Sequence, residues 1–336
     1  MINAFQNNNK TKEYTMQSSG RLLNSEMKMR NKVILVTVLM LFVVIASRAC
    51  DICGCGVGSY YLGILPEYNK RFIGLRYQHK SLQTHLGPLG ERTPITADET
   101  YQSMELWGGW NFGSKFRVLA FLPYNFNDRV SQTGNGTKTG LGDIALMGYY
   151  KLLDQTGTLG DRLLVQSVWI GGGVKVPTGK YEPTERLAVS ESPNNFQLGT
   201  ASTDFTLNAA YDIRYNDLGL NANVNYKMNT ENKYDYRYGN KLTANVLVYY
   251  KLRVAEKVTL APNAGVLYET AQKDVENNKY DVQVSGGYSL SAVAGVEVAL
   301  KGLSFGANYQ NVRSQNLADG RAKAGNRMMV HVSLPF

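Results

Sequence analysis

The sequence predicts an all-β fold: a transmembrane, antiparallel up-and-down β-barrel of about 12 strands, with short periplasmic turns and long extracellular loops. Three observations predict it. Apolar and polar residues alternate with period two over runs of about 10–14 residues. The links between these runs are tight and long by turns. The chain closes on an alternating run, Val330, Val332, Leu334, that ends in the aromatic Phe336.

Each run repeats one pattern. At 116–126 the apolar set is Phe116, Val118, Ala120, Leu122, Tyr124 and Phe126. At 203–215 Phe205, Leu207, Ala209, Tyr211 and Ile213 oppose Asp204, Thr206, Asn208, Asp212 and Arg214. Leu218 to Met228 is the clearest case, with Leu218, Leu220, Ala222, Val224, Tyr226 and Met228 against Gly219, Asn221, Asn223, Asn225 and Lys227. At 242–252 Leu242, Ala244, Val246, Val248, Tyr250 and Leu252 alternate with Thr243, Asn245, Tyr249 and Lys251. At 290–300 the set is Leu290, Ala292, Ala294, Val296, Val298 and Leu300. A strand sends successive side chains to opposite faces, so each run has an oily face and a wet one. Soluble sandwiches alternate too, but their strands average about 5–6 residues. A tilted strand needs about 9–11 residues to cross the hydrocarbon.

Strands are expected near 71–80, 99–111, 116–126, 141–153, 162–177, 199–215, 218–229, 240–252, 257–271, 284–300, 303–314 and 326–336. The links at Phe112 to Lys115, Asn216-Asp217, Arg253 to Glu256 and Lys301-Gly302 are tight, and Asp154 to Asp161 is a little longer. Asn127 to Gly140 and Thr178 to Leu198 are long and polar. An even count puts both ends of the barrel on the short-turn, periplasmic side. The repeats Tyr149-Tyr150-Lys151-Leu152 and Tyr249-Tyr250-Lys251-Leu252 precede tight turns and are read as an aromatic girdle at headgroup level.

Composition agrees. Of 336 residues, 43% are hydrophobic and only 19% charged, with 22 Tyr and 33 Gly, which is unlike a disordered chain. Of the net charge of +9, residues 1–49 carry +5, so the remainder has no basic block. A nucleic-acid partner is therefore excluded. Residues 33–46, VILVTVLMLFVVIA, follow Lys28, Arg30 and Lys32 and precede Ser47-Arg48-Ala49. That run is too short for a spanning helix and reads as a secretory signal, 27–49, with Cys50 first after cleavage. Residues 1–26 are polar and read as an upstream extension. An N-terminal membrane anchor is the competing reading. Residues 50–70 form a Cys-containing segment, read either as a plug or as a loose periplasmic tail, and 71–336 the barrel.

Thr139-Gly140-Leu141-Gly142-Asp143-Ile144, then Gly171-Gly172-Gly173-Val174-Lys175-Val176-Pro177-Thr178-Gly179-Lys180, and the terminal Phe336 resemble an outer-membrane barrel family associated with a MetA-pathway of phenol degradation. Cys50-Asp51-Ile52-Cys53-Gly54-Cys55-Gly56 looks like a signature of its Bacteroidetes branch. The resemblance implies a barrel of about 12 strands in the outer membrane of a Gram-negative bacterium that takes up small molecules, apolar ones among them. Phe336 resembles the signal read by the barrel-assembly machinery. From the residues alone, Gly171 to Gly173 inside a strand suggests a kink, a bulge or a close backbone approach.

All three cysteines, Cys50, Cys53 and Cys55, lie in this segment. In an oxidising compartment they could be lipidated, disulfide-bonded or ligands of Cu(I) or another soft metal. A metal-handling role at that cluster is the first alternative function, and a barrel enzyme the second. For the latter, His331 and Ser333 share a face but sit toward the periplasm, away from the outer leaflet where a lipid-cleaving site belongs. His79 and His85 have no clear nucleophile partner, and His85, Asp98 and Glu99 form a thin basis for a protease. No catalytic residue is assigned.

By parity Glu105, Arg117, Asp143, Lys151, Lys175, Asp204, Asp212, Arg214, Lys227 and Glu297 face the lumen. Buried charge must be hydrated or paired, and both signs are present. The expectation is a narrow, wet, weakly selective channel for small molecules, with lipid on its outer face, and the competing reading is a salt-bridged structural interior.

Overall fold

A computed structural model describes residues 71–132, 134–183, 196–255, 258–300 and 302–336. The expectations for the signal segment and for Cys50, Cys53 and Cys55 lie outside these residues. The strands in chain order are β1 (Phe72–Thr84), β2 (Ala97–Phe112), β3 (Phe116–Ser131), β4 (Gly134–Leu141), β5 (Ile144–Leu159), β6 (Arg162–Val176), β7 (Asp204–Tyr215) and β8 (Leu218–Met228). They continue with β9 (Tyr236–Arg237), β10 (Lys241–Tyr250), β11 (Leu252–Ala255), β12 (Val258–Ala271), β13 (Val275–Glu276), β14 (Tyr280–Asp281), β15 (Gly287–Leu300), β16 (Leu303–Leu317) and β17 (Lys323–Pro335).

Consecutive wall strands pair antiparallel, β1 pairs β17, and β10 pairs β12 on one side and β8 on the other, so the sheet closes on itself. With β4 continuing into β5 and β10 into β11, the wall is a 12-strand barrel. Closure matters because lipid offers no hydrogen bonds, so every wall N–H and C=O must find a partner within the sheet. Among the described residues no helix is long and apolar enough to cross a membrane, and the strands make the crossing.

The alternation sets which face is which. Ile73, Leu75, Leu106, Leu146, Val246 and Val330 point outward, while Arg76, Glu105, Lys175 and Asp204 point inward and are buried. At the short-turn end Trp110, Phe112, Phe116, Tyr150 and Tyr250 ring the outside. Phe116 and Tyr150 lie 5.0 Å apart, and the Arg71 guanidinium sits 4.1 Å over the Trp110 ring. Tyr124, Phe126, Tyr268 and Tyr288 form a second ring toward the long-loop end. The ten residue steps from Phe116 to Phe126, at about 3.3 Å each and tilted about 40°, give an apolar band of roughly 25 Å, the height of an outer-membrane hydrocarbon core.

Two expectations are corrected. Tyr149 and Tyr249 do not join the outer ring; they turn inward and are 8% and 2% exposed. Parity forces this, since their neighbours Tyr150 and Tyr250 take the outer face. The stretch Asn127 to Gly140 is not a long loop but a hairpin, paired from Tyr124↔Leu141 to Ser131↔Gly134. Both faces there are polar, because the hairpin projects beyond the hydrocarbon.

The described residues of the other long-loop connections pack with one another. β13 pairs with both β14 and β9 to form a small crown. Asp274 anchors it, accepting a 2.7 Å bond from the Gly239 N–H and another from the Tyr236 hydroxyl. Tyr181 stacks on Tyr234 at 5.3 Å.

Candidate functional site: the lumen, its mouth and a seam in the wall

The two glycine-rich motifs meet in space. Ile144↔Val176 and Ala145↔Lys175 are register partners, which brings Asp143 beside Lys175. Lys175 Nζ lies 2.5 Å from Asp143 Oδ2 and 2.9 Å from Asp204 Oδ2, and donates to Ser202 O at 3.0 Å and to the Thr200 hydroxyl. Lys227 Nζ reaches Asp204 at 3.2 Å. Two carboxylates and two ammonium groups thus balance one another inside the wall. Asp143 also accepts the Gly179 and Thr200 N–H groups, each at 2.9 Å. The motifs therefore tie both ends of the loop between β6 and β7 to the barrel. Thr178 helps, its hydroxyl donating to Gly142 O and accepting from the Ile144 N–H.

A second charged group sits on another part of the wall. Glu269 Oε2 lies 2.6 Å from Arg327 Nη1, and its Oε1 lies 3.2 Å from Lys241 Nζ. Nearer the periplasm, Arg76 pairs with Glu105, and His331 Nε2 lies 3.0 Å from Glu297 Oε2. The Arg76 guanidinium sits 5.2 Å from the Trp107 ring.

The interior is not uniformly wet, as the parity argument expected. Phe72, Trp107, Leu119, Phe121, Ala145, Met147, Tyr149 and Trp169 form an inward apolar cluster. Glycines on facing strands make room for its rings. Phe72 lies opposite Gly109, Trp107 opposite Gly74, Tyr149 opposite Gly171, and, elsewhere in the wall, Tyr249 opposite Gly219. A Cβ on Gly171 would stand 2.3 Å from Gly148 O and 2.8 Å from the Tyr149 ring. The close-approach reading of the Gly171 to Gly173 run is thus the one the structure supports. Glycine carries no side chain to oppose the ring, and the aromatic supplies the missing contacts.

The mouth and one wall seam adjoin. Phe196, from the loop between β6 and β7, packs with Leu82 of β1, Tyr101 of β2, Leu317 of β16 and Ala324 of β17, with Val312 and Ala322 against them. The Phe196 ring itself lies 6.3 Å from that of Tyr101 on β2 and 5.6 Å from Lys138 Nζ on β4. Asn125 and Asn127 hold the loop backbone, each donating to a carbonyl (Leu198 O and Gln197 O) at 3.4 Å. Beside this cluster the β16–β17 ladder stops. It runs from Ser304↔Ser333 to Gln310↔Arg327, and beyond that only the bridge Leu317↔Ala322 joins the two strands. Side chains stitch the interval. Gln315 donates to Ala324 O and accepts from the Ala324 N–H, and Asn311 donates to Asn326 Oδ1 at 2.9 Å. Register shifts at Leu290/Ser291 in β15–β16 and at Lys80/Leu82 in β1–β17 flank the seam.

The structure places Glu105, Arg117, Asp143, Lys151, Lys175, Asp204, Lys227 and Glu297 inside the barrel and buried, and Asp212 and Arg214 inside but half-buried. It brings together Asp143, Lys175, Asp204 and Lys227. Lys151 instead binds Asp154 at 2.7 Å, Arg117 donates to Asn111 at 2.8 Å, and Asp212 accepts from Tyr249 at 3.0 Å. Sequence reasoning missed Arg76, Lys241, Glu269 and Arg327. Parity could have found Glu269, since Val266 and Tyr268 face outward. His331 is engaged by Glu297 and makes no hydrogen bond to Ser333. His85 bonds Thr84, Asp98 accepts from Gln83 and Arg92, and Glu99 lies inward, accepting from Tyr101 at 2.5 Å. Each of these side chains is thus engaged with a neighbour of its own. Among the described residues no three His, Cys, Asp or Glu side chains are placed to hold a metal.

A family described as "Putative MetA-pathway of phenol degradation" matches residues 92–320. Among solved structures, an outer-membrane channel from Pseudomonas putida F1 is similar at a TM-score of 0.55 and 13% identity, covering 83% of this chain and 100% of that one. The β-domain of the Bordetella autotransporter BrkA gives 0.45 and 13%, over 80% of this chain and 100% of that one. The translocator domain of NalP from Neisseria meningitidis gives 0.41 and 12%, over 82% and 91%. At such identities what is shared is the fold, and the first of these carries that statement. A comparison with curated proteins finds no match.

Proposed function

Since the chain belongs to the family described as "Putative MetA-pathway of phenol degradation", we propose that this outer-membrane barrel is a channel for small molecules with apolar or aromatic bodies. The observation that carries the reading is the β16–β17 seam backed by the apolar cluster around Phe196. A solute entering under the loop meets Phe196, Tyr101, Leu82 and Leu317 first. The nearest way out is through the wall, where side chains rather than a ladder join the strands. Parting Gln315 from Ala324 and Asn311 from Asn326 breaks three side-chain hydrogen bonds, each worth about 0.5–1.5 kcal/mol. Opening a comparable stretch of intact ladder in lipid would leave backbone groups unpaired at several kcal/mol each.

The test is a reversible lock. Asn311→Cys and Asn326→Cys are introduced in a chain whose Cys50, Cys53 and Cys55 are serine. Entry of radiolabelled toluene into cells is then followed with the pair oxidised and reduced. Faster entry than in cells lacking the chain, slowed by oxidation and restored by reductant, is the expected result. Entry that ignores the lock removes the lateral route. Entry no faster than without the chain removes the apolar-solute channel.

A further inference from the structure

One band of the lumenal wall holds more hydrogen-bonding groups than partners. Ser289 and Ser291 on β15, Gln310 on β16 and Arg327 on β17 are all at least nine-tenths buried. Ser289 Oγ, Ser291 Oγ, Gln310 Oε1 and Arg327 Nη2 have no hydrogen-bond partner in the protein. The four residues sit on the inner face of three adjacent strands, the two serines one and two inward positions further from the periplasm than Val293, the register partner of Gln310. Register places Glu269 opposite Ser289, Leu267 opposite Ser291, and Gln310 opposite Arg327. Native interiors almost never leave so many adjacent polar groups unsatisfied, and each such group calls for an explanation.

Charge narrows the explanation. Glu269 is a single carboxylate held between two cations, Arg327 at 2.6 Å and Lys241 at 3.2 Å. The trio carries one surplus positive charge, and the Arg327 Nη2 edge is the part not spent on Glu269. Two serine hydroxyls on β15, one of them on the register partner of Glu269, are free to donate. Arginine presents a planar pair of donors that matches a carboxylate. Directly on the periplasmic side of this band, Leu247, Leu267, Val293 and Met329 form a separate buried apolar cluster on the same strands and on β10. Polar above and apolar below is the pattern of a site that orients an amphiphilic small solute, with few polar groups fixing its head and apolar side chains taking its body.

We propose that this band binds a small organic monocarboxylate, its carboxylate on Arg327 with Ser289 and Ser291 and its hydrocarbon body on Leu247, Leu267, Val293 and Met329. Gln310 Oε1 is an acceptor and takes a hydroxyl substituent of the same solute. The proposal deepens the channel reading by naming a solute class, and rests on it only for how the solute arrives.

The experiment uses the purified full chain in detergent, with benzoate as probe, benzamide as its neutral isostere and inorganic phosphate as a plain anion, each titrated calorimetrically. Saturable benzoate binding, at least tenfold tighter than benzamide and absent for phosphate, is expected. Arg327→Met is expected to weaken benzoate binding tenfold or more and to abolish the preference over benzamide. Arg327→Lys is expected to restore part of it. Heat-modifiable gel mobility reports folding. If Arg327→Met fails to fold, Ser289→Ala/Ser291→Ala serves, with a severalfold loss expected. Arg253→Gln, in β11 at the periplasmic end of the wall, is the unaffected control. Equal binding of benzoate and benzamide, phosphate binding as tight as benzoate, no benzoate binding, or indifference to the Arg327 and serine changes overturns the proposal. Ion conductance of the same preparation in planar bilayers is read separately. Conductance without benzoate binding sinks only the carboxylate site, whereas binding without conductance sinks only the channel.

Discussion

Lys175→Met tests whether the two glycine-rich motifs act as one clamp. Lys175 is 2% exposed and touches two carboxylates, Asp143 at 2.5 Å and Asp204 at 2.9 Å. Methionine keeps the length of the stem but removes the charge and all the donors. Asp143 and Asp204 then face one another with Lys227 alone to compensate. Breaking a buried ion pair from one side costs about 3–5 kcal/mol, because the partner is left charged and unpaired. Asp143→Asn strips a charge from the same cluster and weakens the acceptor that holds the Gly179 and Thr200 N–H groups. A comparable loss is expected. In the double variant much of the unpaired charge is gone, so the two losses should fall short of additivity by about 2 kcal/mol or more, within the range seen for residues in one network. Urea unfolding of the protein in lipid vesicles, read by the shift in gel mobility on heating, measures all four corners. Single losses under about 1 kcal/mol, or strict additivity, would mean that the cluster is hydrated and does not hold the loop.

Further outcomes follow from the same geometry. Gly171→Ala, which sets a Cβ 2.3 Å from Gly148 O, should cost about 1–3 kcal/mol by overpacking, while Gly148→Ala, with nothing within 4 Å, should stay within about 0.5 kcal/mol. Unfolding midpoints in the same vesicles compare them, and equal effects would refute the ring-over-glycine packing. Phe196→Ala removes the ring that ties the loop to the apolar cluster at the mouth, and single-channel conductance should rise. Unchanged conductance would place the constriction elsewhere. The seam lock and the benzoate titration are the two remaining tests.

Some of this architecture is written locally and some is not. Leu218 to Met228 alternates cleanly, and the strand has those bounds, because one face meets lipid and the other the lumen. Where both faces meet water the signal vanishes. Asn127, Asp128 and Arg129 against Asn135, Thr137 and Lys138 give no amplitude, so the β3–β4 hairpin reads as loop. Parity gives Asp143, Lys175, Asp204 and Lys227 an inward face, but a shared face is not a shared contact. Their meeting depends on the β5–β6 and β6–β7 registers, which the bulge at Lys151/Leu153 and the loop length help to set. The Glu269–Arg327 pair is less legible still. It joins β12 to β17 across two intervening strands, a separation on which sequence spacing is silent. The ring-over-glycine pairs have the same origin, since Tyr249 and Gly219 are neighbours only once β8 and β10 align.

The interrupted ladder also bears on how the barrel assembles. β17 is matched to β1 from Phe72↔Pro335 to Gln83↔Lys323, but to its hairpin neighbour β16 only from Ser304↔Ser333 to Gln310↔Arg327. β17 therefore holds β1 more extensively than it holds its hairpin neighbour β16. Its outer half gains its main-chain partner only when the two ends of the sheet meet, a contact that spans nearly the whole sequence of the barrel. Pairings of such separation are slow to form. Closure of the β1–β17 edge, rather than growth of the hairpins, is then the step expected to set the folding rate.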